Sequence, residues 1–251
     1  RRASLPPAMC QADVMNLQRR LVAATAVLLC APLAACSSDD ASPGSDGAAT
    51  PEEVMAGAKA ALDDTSGVEL SLSTEDERPD GDFLRNAQGV ITEAGSFQGT
   101  AGGRFLGFDA EGVEVRSVDG DFYVMAPVIG WDTYDPAELC APDPGTLLDP
   151  ETGVSGVLVA ATDLEAGEQR RAADDSSVVV TPYTATVPGD AVVSILPCAP
   201  GDAFDAVFTV DDEGRLRAAD LTGEFFSGGG EITYTIAVTA YGITQEITAP
   251  E

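Results

Sequence analysis

Cys36 is the residue whose setting most clearly predicts chemistry, because it directly follows Leu33-Ala34-Ala35. That arrangement is a lipobox, in which the thiol is alkylated with a diacylglycerol before the signal is cleaved off. Upstream lie Arg19-Arg20 and an uncharged, mostly apolar run from Leu21 to Leu33, typical of a secretory signal. This run is too short for a bilayer span of about 20 residues. We therefore expect a lipid anchor at Cys36. A plain signal peptide with an incidental cysteine, or a short membrane anchor, are the alternatives.

Cys140 and Cys198 are the other two cysteines of the part of the chain expected to be exported. An oxidising compartment outside the cytoplasm favours a disulfide between them. Closing a loop of about 60 residues stabilises a fold by about 4 kcal/mol in the chain-entropy account. We predict this disulfide, and the alternative is a pair of unpaired buried thiols.

Histidine is absent from the chain, which excludes Ser-His-Asp and Cys-His catalysis and the usual zinc sets. The sequence also lacks the EF-hand pattern and the GxxxxGK[ST] and GxGxxG nucleotide loops. Carboxylate pairs of the glycosidase kind arise by chance among 42 acidic residues, and no pair has an unusual setting. We expect a protein that is not an enzyme, with no catalytic residue, no metal and no cofactor.

Charge excludes another class of function. The chain carries 13 basic and 42 acidic residues, for a formal net charge of −29. Such a surface repels the phosphates of nucleic acids. Nucleic acid is therefore not an expected partner.

The chain divides into a leader and one domain. Met15 is the expected initiator, so that residues 1–14 are an upstream extension and residues 15–35 the signal peptide. Residues 36–50 are the lipidated cysteine and a flexible tether of small polar residues. Residues 51–251 then form a single domain that is long enough to bury a sizeable core.

Helical and strand patterns alternate through this domain. Thr50, Pro51 and Glu53 form a capping box that begins a helix, and Gly67 ends it. Further helices are predicted from Asp149 and over 190–196, and residues 131–144 are predicted to be irregular. Period-two alternation and turn signals predict strands over 68–73, 83–86, 89–98, 102–109, 112–118, 121–127, 177–187, 203–210, 215–222, 231–239 and 242–248.

About ten antiparallel strands with one apolar face need a cover, which the few amphipathic helices supply. We therefore predict an α+β fold, a curved antiparallel half-barrel with helices on its concave face. Small residues on those helices, among them Ala58, Ala61 and Gly156, favour an apolar cavity between helices and sheet. The alternative is a core that side chains close completely.

Four stretches in fixed order carry a family likeness: Val118-Asp119-Gly120-Asp121-Phe122-Tyr123, Trp131, Tyr134-Asp135-Pro136-Ala137 and residues 145–153. Over about residues 50–250 the chain resembles the LppX/LprA/LprF/LprG lipoproteins of mycobacteria and related actinobacteria. The resemblance implies a half-barrel around an apolar lipid cavity. Relatives bind acylated glycolipids, triacylglycerol or other long-chain envelope lipids, and some work with a membrane exporter. This chain departs from the pattern in its acidity and in Cys140 and Cys198.

The expected function is that of a monomeric lipoprotein, exported and anchored to the outer face of the plasma membrane through Cys36. It would bind and transfer long-chain acylated lipids or glycolipids, with a membrane lipid exporter as a further partner. The alternative is an envelope interaction module with a closed core and an acidic protein-binding surface. Two or three acyl chains require a cavity at or beyond the upper end of about 300–1,000 Å³. The candidate lining residues are the inward-facing Val54, Ala58, Leu62, Leu70, Leu72, Phe105, Val115, Val124, Val157, Leu158, Phe208 and Ile236.

Overall fold

Twelve antiparallel strands form one open sheet in a computed structural model, which describes residues 49–76, 81–105, 107–173 and 175–251. The strands are β1 (Gly67–Ser73), β2 (Phe83–Thr92), β3 (Phe97–Phe105), β4 (Phe108–Val118), β5 (Asp121–Ala126), β6 (Gly130–Tyr134), β7 (Thr162–Ala166), β8 (Arg170–Arg171), β9 (Val179–Pro188), β10 (Ala203–Asp211), β11 (Leu216–Gly223) and β12 (Ile232–Tyr241). Their order is β6-β5-β4-β3-β2-β1-β12-β11-β10-β9-β7, with β8 beside β9. The N-terminal and C-terminal meanders therefore meet at the β1–β12 pair.

Within the described residues, three α-helices cover the concave face: α1 (Pro51–Asp63), α2 (Val154–Ala160) and α3 (Gly189–Val193). The capping box predicted for α1 is confirmed, since the Glu53 amide donates to Thr50 Oγ1 at 3.3 Å and the Thr50 amide donates to Glu53 Oε2 at 2.8 Å. Helix α1 packs against α2, and α3 lies against α2 and β9. The predicted α+β half-barrel is confirmed.

The helices seal one half of the sheet with a packed core. Phe204 and Phe208 of β10 are fully buried there, together with Met55 of α1 and Leu158 of α2. The aromatic rings of Phe225 and Tyr234 extend this core with centroids 5.0 Å apart. The half formed by β1 to β6 receives less helical cover.

Strand β2 differs from its prediction. We predicted two strands, 83–86 and 89–98, whereas Phe83–Thr92 is one strand with a bulge between Leu84 and Asn86, and the second predicted range runs across a turn into β3. Gly89 stays within β2 because it pairs with Gly99, where the Phe97 ring lies so close that a Cβ on Gly89 would come within 2.6 Å of it. Glycine here serves close packing and does not mark a turn.

Other segments also differ, among them the predicted strand 102–109, which spans the end of β3 and the start of β4. Strand β6 lies within the stretch predicted to be irregular, because Trp131, Thr133 and their neighbours pair with β5. Strand β7 was not predicted, because its short, mostly exposed sequence has no clear apolar period. Residues 242–248 form no strand, because Gly242 at φ +74° turns the chain out of β12.

Candidate functional site

An apolar cavity of about 440 Å³ lies beneath the less covered half of the sheet. Its floor is formed by β1 to β6 and β12, and its roof by residues 135–147, which we call the roof segment. Gln88, Asp109 and Tyr134 are the lining residues that have polar side chains, and every other lining residue has an apolar one. The alternative of a core that side chains close completely therefore does not describe this half of the described domain.

The floor follows from strand alternation. Side chains at every second position of a strand face the same side of the sheet. Leu72 of β1 pairs with Ile236 of β12, and Val115 of β4 pairs with Val124 of β5. All four line the cavity, so the same period that predicts the strands also places apolar side chains in the floor.

The roof segment is held by local hydrogen bonds and a disulfide. Two 3₁₀ helices, Pro136–Leu139 and Pro144–Thr146, begin at aspartates whose carboxylates cap them. Asp135 Oδ1 accepts from the Ala137 amide at 2.9 Å, and Asp143 Oδ1 accepts from the Gly145 amide at 2.9 Å. Between them the structure joins Cys140 to Cys198. This Pro- and Asp-rich stretch is therefore an ordered cover over the cavity.

A smaller cavity of about 60 Å³ adjoins the first. The two share several lining residues, including Leu72, Ile195 and Ile236. Cys140 and Val157 line the smaller one. It extends the apolar space from the roof towards α2 and α3.

The lining of the main cavity reaches the surface at two β-hairpins, where Phe108 and Met125 line it and are exposed, and we call this opening the mouth. Phe105 and Phe108 belong to the β3–β4 hairpin, and Met125 and Pro127 belong to the β5–β6 hairpin. The ladder between β4 and β5 begins only at the Val115–Val124 pair, so the two hairpins diverge beyond that rung.

Seven of the predicted lining residues lie on these cavities. The main cavity is lined by Leu70, Leu72, Phe105, Val115, Val124 and Ile236, and the smaller one by Val157. The other five predicted residues line neither cavity and instead lie in or against the packed core: Val54, Ala58, Leu62, Leu158 and Phe208.

This distribution has a physical reason. The apolar faces of α1 and α2 pack against one another, so Ala58, Leu62 and Leu158 are buried between elements and face no open space. Phe208 lies on β10, in the half of the sheet that the helices seal. An inward-facing position therefore predicts that a residue is buried. Whether that residue lies in a packed core or lines a cavity depends on how closely helices or loops pack over it.

Sequence reasoning also missed lining residues. Phe122 lines the cavity and lies two positions before Val124, so strand alternation could have identified it. The roof residues Leu139, Pro142 and Leu147 also line the cavity, and no periodic signal marks them. Cys36 and the predicted boundaries within residues 1–48 lie outside the described residues.

Neither metal ligands nor a membrane-spanning helix is found in the described ranges. Among these residues, no three His, Cys, Asp or Glu side chains come together as a metal site. No helix within the same ranges is long and apolar enough to cross a bilayer.

The sequence model of the LppX_LprAFG lipoprotein family matches residues 50–248. Among solved structures, the chain is similar to LprF from Mycobacterium bovis, with a TM-score of 0.64 and 12% identity over 80% of this chain and 96% of that one. It is also similar to lipoprotein LppX from Mycobacterium tuberculosis, with a TM-score of 0.57 and 16% identity over 79% of this chain and 98% of that one. No curated protein sequence matches. At these identities the structural likeness establishes the fold.

Proposed function

This chain belongs to the LppX_LprAFG lipoprotein family, and we propose that it binds long-chain acylated lipids or glycolipids in its apolar cavity and transfers them within the cell envelope. The observation that carries the proposal is the cavity of about 440 Å³ with its nearly all-apolar wall. Water gains few hydrogen bonds in such a space, whereas a hydrocarbon chain fills it.

The cavity volume limits how much ligand it holds. A cavity of about 150 Å³ accommodates one benzene ring. By that ratio the present 440 Å³ accommodates about eighteen carbons, which is one long acyl chain. The expected volume for two or three chains is larger than this. We propose that one chain occupies the cavity and that the rest of the ligand lies at the mouth.

The mechanism is shielding. Exposing about eighteen methylene groups to water costs about 14 kcal/mol, at about 0.8 kcal/mol each. A chain that passes from the bilayer to an equally dry cavity avoids this cost. Exchange is then nearly balanced in free energy, which suits a carrier that must also release its ligand.

Charge favours a ligand without a negative headgroup. The chain has a formal net charge of −29, and Asp109 lies at the mouth. An anionic headgroup held there would be repelled by both. A neutral acylated lipid or glycolipid is therefore the proposed ligand class.

Anchoring at the outer face of the plasma membrane completes the proposal, and the lipobox before Cys36 supports it. Cys36→Ala removes the thiol that carries the lipid. We expect this variant to leave the membrane fraction and appear in the medium or the soluble envelope fraction. Retention of the variant in membranes at the wild-type level would contradict a lipid anchor at this residue.

Native mass spectrometry of the purified protein tests the ligand directly, with lipid extraction from the same sample to identify what is bound. We expect a population that carries one neutral acylated lipid and loses it on denaturation. If the protein is lipid-free after purification and remains so after incubation with envelope lipid extracts, the carrier function is excluded.

A further inference from the structure

Exposed apolar side chains concentrate at the mouth of the cavity. Phe108 is 76% exposed, Ile129 is 73% exposed, and Val128 is fully exposed. Met125 is also exposed. These four make up most of the large exposed hydrophobic residues in the part of the chain that the structure describes, the others being Val159 and Val193. We call Phe108, Met125, Val128 and Ile129 the lip.

The lip comes from both mouth hairpins. Phe108 begins β4, and Val128 and Ile129 form the turn between β5 and β6. In an antiparallel meander, the β3–β4 and β5–β6 turns lie at the same end of the sheet. Phe108 and Met125 also line the cavity, so the lip is continuous with its apolar wall.

The lip lacks charge in a strongly acidic protein. Residues 105–108 and 122–131 contain no charged side chain, although the chain as a whole carries 42 acidic residues. Asp109, which follows Phe108 at the mouth, pairs with Arg104 in the β3–β4 ladder. The β5–β6 turn also holds Val128 at φ +75°, a left-handed conformation that β-branched residues rarely adopt. Glycine or asparagine would suit this position better, so the fully exposed valine points to a need for its apolar side chain.

We propose that the lip inserts into the interfacial region of a lipid bilayer and so opens the cavity mouth directly to the acyl chains. This inference rests on the proposed function, because it supplies the route by which the ligand enters. The acidity of the chain selects a neutral or zwitterionic surface, since anionic headgroups would repel it. Trp131 lies half-buried beside the lip, where an amphipathic ring suits the headgroup level.

The predicted tether allows this contact. Residues 36–50 number fifteen, and fully extended they reach about 50 Å. The longest strand, β4, has 11 residues and measures about 37 Å. An anchor at Cys36 therefore permits either end of the sheet to face the membrane when the tether is largely extended, since a flexible chain of this length spans about 20 Å on average.

Trp131 provides the test, because it is the only tryptophan of the chain. The full-length lipoprotein is reconstituted into phosphatidylcholine vesicles with plain or brominated acyl chains. Bromine quenches tryptophan only at close range, so quenching reports insertion and not mere tethering. We expect quenching of the wild type, about tenfold weaker quenching in the double variant V128D/I129D, and weaker quenching when phosphatidylglycerol is added.

Val159→Asp is the matched control, because Val159 is 51% exposed on α2, outside the lip. The tryptophan of this variant should be quenched to the same extent as that of the wild type. Comparing plain with brominated vesicles for each variant cancels any direct effect of the substitutions on the emission of Trp131. Phe108→Asp, on the other hairpin, repeats the test at a residue that does not adjoin the tryptophan in sequence.

Bound lipid is measured on the same proteins by native mass spectrometry. If the wild-type protein carries lipid but its tryptophan is not quenched, insertion of the lip is contradicted while the carrier function stands. Quenched wild-type protein without lipid would overturn the carrier function instead. A third outcome is that the wild type self-associates in sedimentation experiments, with no quenching of its tryptophan, and that the lip variants abolish this association. That outcome would assign the face to a second copy of the chain and overturn the membrane contact.

Discussion

Cys140 and Cys198 are joined by a disulfide with Cα atoms 5.3 Å apart, and this bond fastens the roof segment to the loop that follows α3. The roof segment has short 3₁₀ helices and no strand pairing of its own. Because Leu139 and Pro142 line the cavity on either side of Cys140, the position of the cavity cover depends on this bond.

The double variant C140A/C198A should be less stable than the oxidised wild type. The bridged residues are 58 apart in sequence, and a loop of that length corresponds to about 4 kcal/mol of unfolding free energy in the chain-entropy account. Urea denaturation measures the difference. The wild type should lose the same amount on reduction, and the variant should not respond to reductant. Equal stability of reduced and oxidised wild type would contradict the prediction.

Ala101→Trp should block lipid binding without unfolding the protein. Ala101 lines the cavity, and its strand neighbours Ala87 and Val113 line it too. The indole would occupy space that the ligand needs. We expect at least a tenfold loss of bound lipid by native mass spectrometry, with a melting temperature close to that of the wild type.

Two further tryptophan variants separate cavity blocking from other effects. Ala237 follows the cavity residue Ile236 on β12 and therefore faces the opposite side of the sheet, so Ala237→Trp should bind lipid normally. Leu158 is fully buried in the core, so Leu158→Trp should destabilise the fold by about 1–3 kcal/mol through overpacking. Full lipid occupancy in the Ala101→Trp variant would contradict this placement of the ligand.

Elements of this fold that depend on local sequence patterns can be predicted from the sequence, whereas features that depend on tertiary packing cannot. The Thr50–Glu53 capping box and the alternation through Leu70 and Leu72 are local, and both give the right element and the right face. Leu62 and Leu158 show the limit of such signals. Their pattern predicts an inward direction, but whether another helix or open space meets them is decided by tertiary packing.

The roof and the lip could not be predicted for different reasons. The roof segment is fixed by aspartate caps, prolines and a disulfide, none of which produces a hydrophobic period. In the lip, Phe108 and Ile129 are apolar residues in or beside strands, which the sequence pattern places in a core. Their exposure is visible only once the two hairpins are seen to diverge around the mouth.

Lys59, the only lysine of the chain, should matter for stability more than a surface charge does. Its Nζ lies 2.8 Å from Asp63 Oδ2, and it also donates to Ser155 Oγ at 3.2 Å and to the Pro150 carbonyl. These bonds tie α1 to the start of α2. We expect Lys59→Met to lower the unfolding free energy by about 1–3 kcal/mol, measured in urea, because it leaves a half-buried carboxylate without its cation.

A double-mutant cycle with Asp63→Leu isolates the ion pair. The double variant K59M/D63L should recover part of the loss, because no carboxylate is then left without a partner. If the stability loss in the double variant equals the sum of the losses in the two single variants, the lysine acts only through Pro150 and Ser155.

Asp149 should make the turn that precedes α2 sensitive to acid. Its carboxylate accepts hydrogen bonds from the Thr152 and Glu151 amides at 2.8 and 2.9 Å and from the Thr152 hydroxyl at 2.9 Å. These bonds, the Thr152 amide foremost, hold the pKa of Asp149 below its ordinary value of 3.8. A lowered pKa means that the charged form is favoured in the folded state. The resulting stability is present above the ordinary carboxyl range and is lost as the pH falls through the lowered pKa.

Asp149→Ala should therefore cost up to about 1 kcal/mol of unfolding free energy at pH 7, because the turn that precedes α2 loses three hydrogen bonds to an exposed carboxylate. The gap between wild type and variant should stay constant down to about pH 4 and close below it, as the wild-type carboxylate becomes protonated. Urea denaturation at a series of pH values measures both. Asp149→Asn keeps an acceptor for the Thr152 amide without the charge, so it should lose less than the alanine variant. A gap between wild type and Asp149→Ala that persists unchanged at pH 2 would mean that the charged hydrogen bonds of Asp149 do not stabilise this turn.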